Sequence, residues 1–193
     1  MNVINKSGDI NIMLRGSKVY LSEYSKDELK LVKDLINDWD IQEYLNPDTI
    51  IPLTYEDELE WFESNRKHIE KDYSFAIRTI EDNIYLGGCG YRNVNYKNRT
   101  CYIGIMISNK EFQNKGYGSE ALDLLINYIF YEMNLRKIIL MVFSNNERAI
   151  HVYKKLGFHI EGTLKEQVFR NGKYIDEHIM AKFVDREASA LLN

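Results

Sequence analysis

Residues Gln113-Asn114-Lys115-Gly116-Tyr117-Gly118 stand between an apolar strand-like run, Tyr102 to Ile107, and a helix-like run, Ser119 to Tyr131. A glycine-rich turn in that setting commits the chain to a strand–loop–helix unit whose loop amides gather at the positive end of a helix dipole. Such a cradle suits a phosphate or pyrophosphate. Gly116 and Gly118 let a ligand come close to the backbone, and either can take a positive φ at little cost. Lys115 adds a mobile positive charge.

Several loops share this chemistry. The pattern G-x-x-x-x-G-K-[ST] occurs nowhere in the chain, which leaves nucleoside triphosphate hydrolysis without support. Gly116 to Ala121 fits G-x-G-x-x-[GA], but a dinucleotide fold also wants a carboxylate at the end of the next strand to hold ribose. Here Lys137 to Phe143 runs into Ser144-Asn145-Asn146 instead. On the loop alone, a glycine turn that binds nothing also stays open. A second segment, Asn146 to Phe158, reads as a helix of about three turns, with Asn146 as N-cap and Gly157 as its stop. Asn146, Ala149, Ile150 and Tyr153 fall on one face of it. Taken alone, that is an ordinary amphipathic helix with a half-buried tyrosine.

Together the two segments resemble the GNAT superfamily of acetyl-coenzyme A dependent N-acetyltransferases. Its two cofactor motifs, Q-x-x-G-x-G and N-x-x-A-[IL]-x-x-Y-x-x-[LS]-G-F, are present in the right order with 32 residues between Gln113 and Asn146. The resemblance extends from about Leu14 to Phe183. It implies an α/β (α+β) GNAT fold: a mixed, mostly antiparallel sheet of six to seven strands flanked by helices, with two central strands splayed. By motif position those strands are Tyr102–Ser108 and Ile138–Phe143. It also implies acetyl-CoA as acyl donor and no metal. The backbone of Met106, Ile107 and Ser108 would hold pantetheine, and Gln113, Asn114, Lys115, Gly116, Tyr117, Gly118 and Ser119 the pyrophosphate. Asn146, Ala149 and Lys155 of the following helix would border the cofactor.

Tyr153 occupies the place of the family tyrosine that protonates the departing thiolate. A phenol of pKa about 10 keeps its proton at neutral pH and can serve there. The base is not readable. Some relatives carry a glutamate early in the strand before the loop, whereas Cys101-Tyr102-Ile103-Gly104 has none. His68, His151, His159 and His178 lack metal-ligand spacing.

The rest of the chain maps as one domain, residues 13–193, behind a polar extension, 1–12. A strand is expected near Val19 to Leu21, and helices over Asp27–Asp38 and Tyr55–Ile69. Trp39 to Leu53, with Pro47 and Pro52, reads as a long loop. Tyr73–Ile80, Ile84–Val94 and Arg99–Ser108 read as an antiparallel meander, and Asn171-Gly172 between apolar runs as a hairpin turn. Cys89 and Cys101 sit on neighbouring predicted strands but imply no disulfide framework. No apolar run approaches the roughly 20 residues of a membrane span, and no signal peptide opens the chain, so a cytoplasmic location without membrane partners is expected.

Residues 21–72 hold 15 Asp or Glu against 6 Lys or Arg, while the remainder holds 14 against 19. An acidic first third beside a basic remainder suits a cationic amine on one side and an anionic cofactor on the other, although solvated helix faces would give the same count. Trp39, Tyr44, Tyr55, Trp61 and Phe62 are candidates for the wall of an acceptor pocket. Two branches of the family are similar: spermidine/spermine acetyltransferases and ribosomal-protein N-terminal acetyltransferases. The acceptor is therefore expected to be a small amine or a protein N-terminus, not a nucleic acid. A homodimer is common among such proteins. The competing class is a coenzyme A binding regulator or scaffold without turnover.

Overall fold

The computed structural model describes residues 14–185 and, before them, the backbone of two short paired strands, β1 (Val3–Ile4) and β2 (Ile10–Asn11). The rest of the expected N-terminal extension lies outside the described residues. The main sheet contains β3 (Leu14–Arg15), β4 (Val19–Ser22), β5 (Tyr73–Thr79), β6 (Tyr85–Asn95), β7 (Thr100–Ile107), β8 (Lys137–Phe143), β9 (His159–Arg170) and β10 (Lys173–Phe183). Their spatial order is β3-β4-β5-β6-β7-β8-β10-β9, antiparallel at every step except β7–β8, which is parallel. That is one strand more than the upper expectation. The extra one, Leu14–Arg15, is too short to leave an alternation in the sequence.

Turn chemistry sets the antiparallel joins. Asn171 and Gly172 both take positive φ, 50° and 77°, as a two-residue hairpin turn requires, and Arg170 then faces Lys173 across it. The meander β5-β6-β7 forms as the pattern predicts. Cys89 lies opposite Ile105, and Cys101 opposite Ile138 on β8. The two thiols therefore do not face each other, and both are free and buried.

Helices cover both faces. On one, α4 (Tyr117–Asn127), which runs on into a π turn over Tyr128–Glu132, and α5 (Glu147–Lys155) join Cys89, Ile103, Leu140 and Met180 in the main core. Leu122, Leu125 and Ile126 of α4 are fully buried, worth about 1.5–3 kcal/mol each. On the other, α1 (Leu29–Ile36) and α3 (Tyr55–Ser64) pack Leu29, Val32 and Phe62 against Tyr24, Ala76 and Tyr85. Arg78 of β5 fixes the start of α1 through a two-pronged pair with Glu28, whose carboxyl it holds below the usual range. A Thr54/Asp57 capping box opens α3.

The segment 39–53 is not all loop. Its first part is a helix, α2 (Trp39–Leu45), with Asp38 as N-cap. Nothing in its seven residues gives a helical stripe long enough to see. What holds it is remote: Arg170 at the end of β9 donates to the carbonyls of Asn46 and Asp48 just past its C-terminus. Asn37, which ends α1, exchanges two 2.8 Å hydrogen bonds with Leu53 and closes the loop.

Candidate active site

β7 and β8 are paired only at Thr100, Cys101 and Tyr102 with Lys137, Ile138 and Ile139. Beyond that the two strands part, and the opening is the floor of a cleft of about 1660 Å³. On the β6 side, the Ser108 amide donates to the Leu86 carbonyl at 2.9 Å. By the alternation of an antiparallel ladder, the backbone groups of Met106 then face β6, and those of Ile105 and Ile107 face the gap. The Ile107 carbonyl takes a hydrogen bond there from Gln113 Nε2 at 2.8 Å.

At one end of the gap lies the glycine loop. Asn114 and Gly116 both have positive φ, 60° and 87°, which turns successive amides the same way. Gly116 is the N-cap of α4 and offers no side chain to its first turn, so the amides from Tyr117 to Ser119 keep their hydrogen-bonding capacity. Gly118 serves packing instead, because a Cβ there would stand 3.2 Å from Ile107 Cγ1 and its absence lets α4 close onto β7. Glu120, the acidic residue of that turn, is drawn away to Ser17 and Lys18. Lys18 Nζ reaches the Lys115 carbonyl at 3.1 Å. Gln113 is a strut, since its Oε1 also accepts from Arg148 of α5 at 2.9 Å. Asn146 caps α5 by accepting from the Ala149 amide at 3.1 Å.

This end accommodates a pyrophosphate: a backbone nest, a side-chain-free cap and the cations Lys18 and Arg148 meet on one loop. Met106, Ile107, Gln113, Asn114, Gly116 and Gly118 line the cleft, as do Ser119, Asn146, Ala149 and Tyr153. Met106 borders it with its backbone turned to β6 and not to the gap, and the side chains of four further expected residues stand elsewhere, although the Lys115 and Tyr117 backbone belongs to the loop. Ser108 is buried against Leu86, Lys115 lies over the Phe112 ring, Tyr117 packs edge-on to Phe112, and Lys155 is exposed in the last turn of α5. There Lys154 and Lys155 complement the helix dipole. Tyr153 itself is 9% exposed, edge-on to Phe158, and burial pushes its phenol up to about 12. It therefore keeps its proton at any ordinary pH.

The face of the sheet away from α4 and α5 forms the other end. Gly104 has no neighbour within 4 Å of where a Cβ would stand, so the floor there is open. Two carboxylates border this region, Glu58 of α3 at 4% exposure and Glu177 of β10 at 5%. Neither is in an ion pair among the described residues. Burial raises both carboxyls, Asp57 adding to the effect at Glu58 and Arg92 opposing it at Glu177. Asp40, Asp48 and Asp57 also line the cleft, but Asp40 is tied to Lys110 and Asp57 to Thr54. Tyr44 and Trp61 border it too, while Trp39, Tyr55 and Phe62 do not.

Sequence reading missed Glu58, Glu177, Lys18 and Arg148. The first two left a signal. Tyr55, Glu58, Leu59 and Phe62 share a helical face, and Ile175, Glu177, Ile179 and Ala181 alternate along a strand, each placing one carboxylate in an otherwise mostly apolar stripe. Among the described residues, no group of three or more His, Cys, Asp or Glu is placed to hold a metal ion, and no helix is long and apolar enough to cross a membrane.

Residues 18–159 match the Acetyltransferase (GNAT) domain. The chain belongs to the GNAT family. This acetyl-CoA-dependent N-acetyltransferase is 34% identical over 157 residues to the spermidine N(1)-acetyltransferase of Escherichia coli K12, covering 81% of each chain. With the spermidine N(1)-acetyltransferase of Vibrio cholerae it shares 30% identity over 160 residues, covering 83% of this GNAT chain and 90% of that one. Among solved structures, the Vibrio cholerae spermidine N-acetyltransferase in complex with CoA and spermine superposes with a TM-score of 0.79 at 26% identity, over 92% of this chain and 100% of that one.

Proposed function

We propose that this acetyltransferase moves an acetyl group from acetyl-CoA to a primary amine of a polyamine, by direct attack with both substrates bound. The observation that carries the reading is the polarity of the cleft. One end offers first-turn helix amides that no side chain caps, with Lys18 and Arg148 bonded to the loop beside them; the other offers two buried carboxylates without ion-pair partners among the described residues. A long polycation entering the second end would supply the charges that Glu58 and Glu177 lack. Relatives named for spermidine support that acceptor over a protein N-terminus.

Bound at the first end, acetyl-CoA supplies a thioester whose carbonyl carbon is the electrophile. The chain's own residues do the rest. Ile105 and Ile107 present backbone groups to the pantetheine, the 113–119 loop and Lys18 hold the phosphates, and Gln113 fixes the loop to β7 and α5. Tyr153 donates its proton to the sulfur as the carbon–sulfur bond breaks.

The test is thiol release from acetyl-CoA with spermidine, spermine, an aminoglycoside and a Ser- or Ala-initiated peptide. The two polyamines are expected to give the highest kcat/KM. Preference for the peptide would replace the acceptor assignment, and CoA binding with no release for any amine would favour the scaffold.

A further inference from the structure

We propose that Glu177 is the base that takes the proton from the acceptor amine. The inference rests on the polyamine reading above and adds the residue that it lacks. An alkyl ammonium of pKa about 10 cannot attack until it loses a proton, and the strand leading to the glycine loop carries no carboxylate between Cys101 and Ile107.

Register places Glu177 for this role. It lies directly opposite Phe143, the last residue of β8, at the open end of the gap. Directly opposed residues share a face, and Met180, three positions on, packs with Leu140 in the core under α4 and α5. The Glu177 side chain therefore leaves the sheet on the other face, the same one on which Gly104 leaves space. It borders the same cleft as Tyr153 and Phe143.

Its surroundings suit a base. From β8 the facing residue is Phe143 and from β9 it is Leu164, neither of which titrates. Arg92 of β6 is the charged group whose field reaches it. Its sequence neighbours are occupied on their own accounts: Asp176 is paired with Lys165, and His178 shares a hydrogen bond with Thr163. A carboxylate in this setting is more basic than one in water, and among the described residues it has no ion-pair partner to release before accepting a proton.

One proton passes from the ammonium to the Glu177 carboxylate, and the nitrogen lone pair bonds the acetyl carbon. The carbon–sulfur bond breaks and the sulfur takes the Tyr153 proton. The second nitrogen proton restores the phenol, and Glu177 releases its proton to solvent, giving the net loss of one proton per acetyl transferred.

Glu177→Gln keeps the shape and removes the base. At neutral pH, kcat with spermidine is expected to fall about 100-fold, with calorimetric acetyl-CoA affinity unchanged. The deficit should shrink as pH rises and free amine becomes abundant. It should also be smaller for glycinamide, whose α-amine has a pKa of about 8. Equilibrium dialysis of labelled spermidine should show several-fold weaker binding to the variant. A kcat within twofold of the parent, or a loss equal at every pH and for both amines, would overturn the assignment while leaving the acetyltransferase reading intact. Failure of the parent protein to acetylate any polyamine would instead remove the reading on which it rests.

Discussion

The two ends of the cleft are built in opposite ways. The proposed cofactor end comes mainly from two short stretches, 113–119 and 146–153, in which a loop and the two helices it touches carry most of the lining groups. The acceptor end is assembled from Glu58, Gly104 and Glu177, on a helix and two strands that meet only in the finished fold. Backbone amides and a helix dipole recognise any pyrophosphate, so they tolerate a fixed local motif. A particular amine must be measured by side chains, and the fold supplies these from whichever elements border the gap. In the proposed reading, chemistry common to the family is thus local, and substrate choice is long-range.

The largest effect that would test this division is at Tyr153, the proposed proton donor, which lines the cleft between the two ends. Tyr153→Phe is expected to lower kcat by roughly 10²–10³-fold while the calorimetric affinity for acetyl-CoA stays the same. Because burial holds the phenol near 12, it stays protonated across the usual assay range, and the parent kcat should show no alkaline fall below about pH 10 from this group. An unchanged kcat in the variant would remove the tyrosine from the proton path. A drop in cofactor affinity instead would make it a packing residue of the cofactor end.

A smaller, more selective effect is expected at Gly104. A Cβ there meets nothing within 4 Å, so Gly104→Val suits the strand and directs its added carbons into the cleft. The KM for polyamine should rise about tenfold, with the KM for acetyl-CoA and the melting temperature nearly unchanged. Equal losses for both substrates would mean that the two ends are not separable at this point of the floor.

The same division explains what could be read from the residues in order. The glycine loop, the Asn146 helix, the meander and the Asn171-Gly172 hairpin all declare themselves through local φ requirements, caps and apolar periods. The parting of β7 from β8 came from family likeness, since no strand period encodes where a ladder stops. Ser108 and Lys155 are expected beside the cofactor from family likeness, and Lys115 and Tyr117 because they lie within the glycine loop. Adjacent residues point different ways, however, and the side chains of these four turn from the cleft, while the backbone of Lys115 and Tyr117 stays part of the loop. Lys18 was out of reach because it meets the loop from 97 residues away.

α2 is the element in which that distance matters most, and it allows the finest test. Arg170, 8% exposed, donates through Nη1 and Nη2 to the Asp48 carbonyl, both at 3.3 Å, and through Nη2 to that of Asn46. Beside it, Asn171 Nδ2 donates to Glu43 Oε1 at 2.8 Å. The β9–β10 turn therefore holds the 46–48 segment, and Asn46, Pro47 and Asp48 in turn wall the acceptor end. Arg170→Ala leaves two carbonyls without these donors, a cost of about 1–3 kcal/mol. The melting temperature should fall by several degrees, and the polyamine KM should rise a few-fold with kcat and the acetyl-CoA KM unchanged. Arg170→Lys, which keeps the charge but loses the fork, should fall between. If the melting temperature drops while both KM values hold, the guanidinium serves only the fold, and the acceptor wall is set by α2 itself.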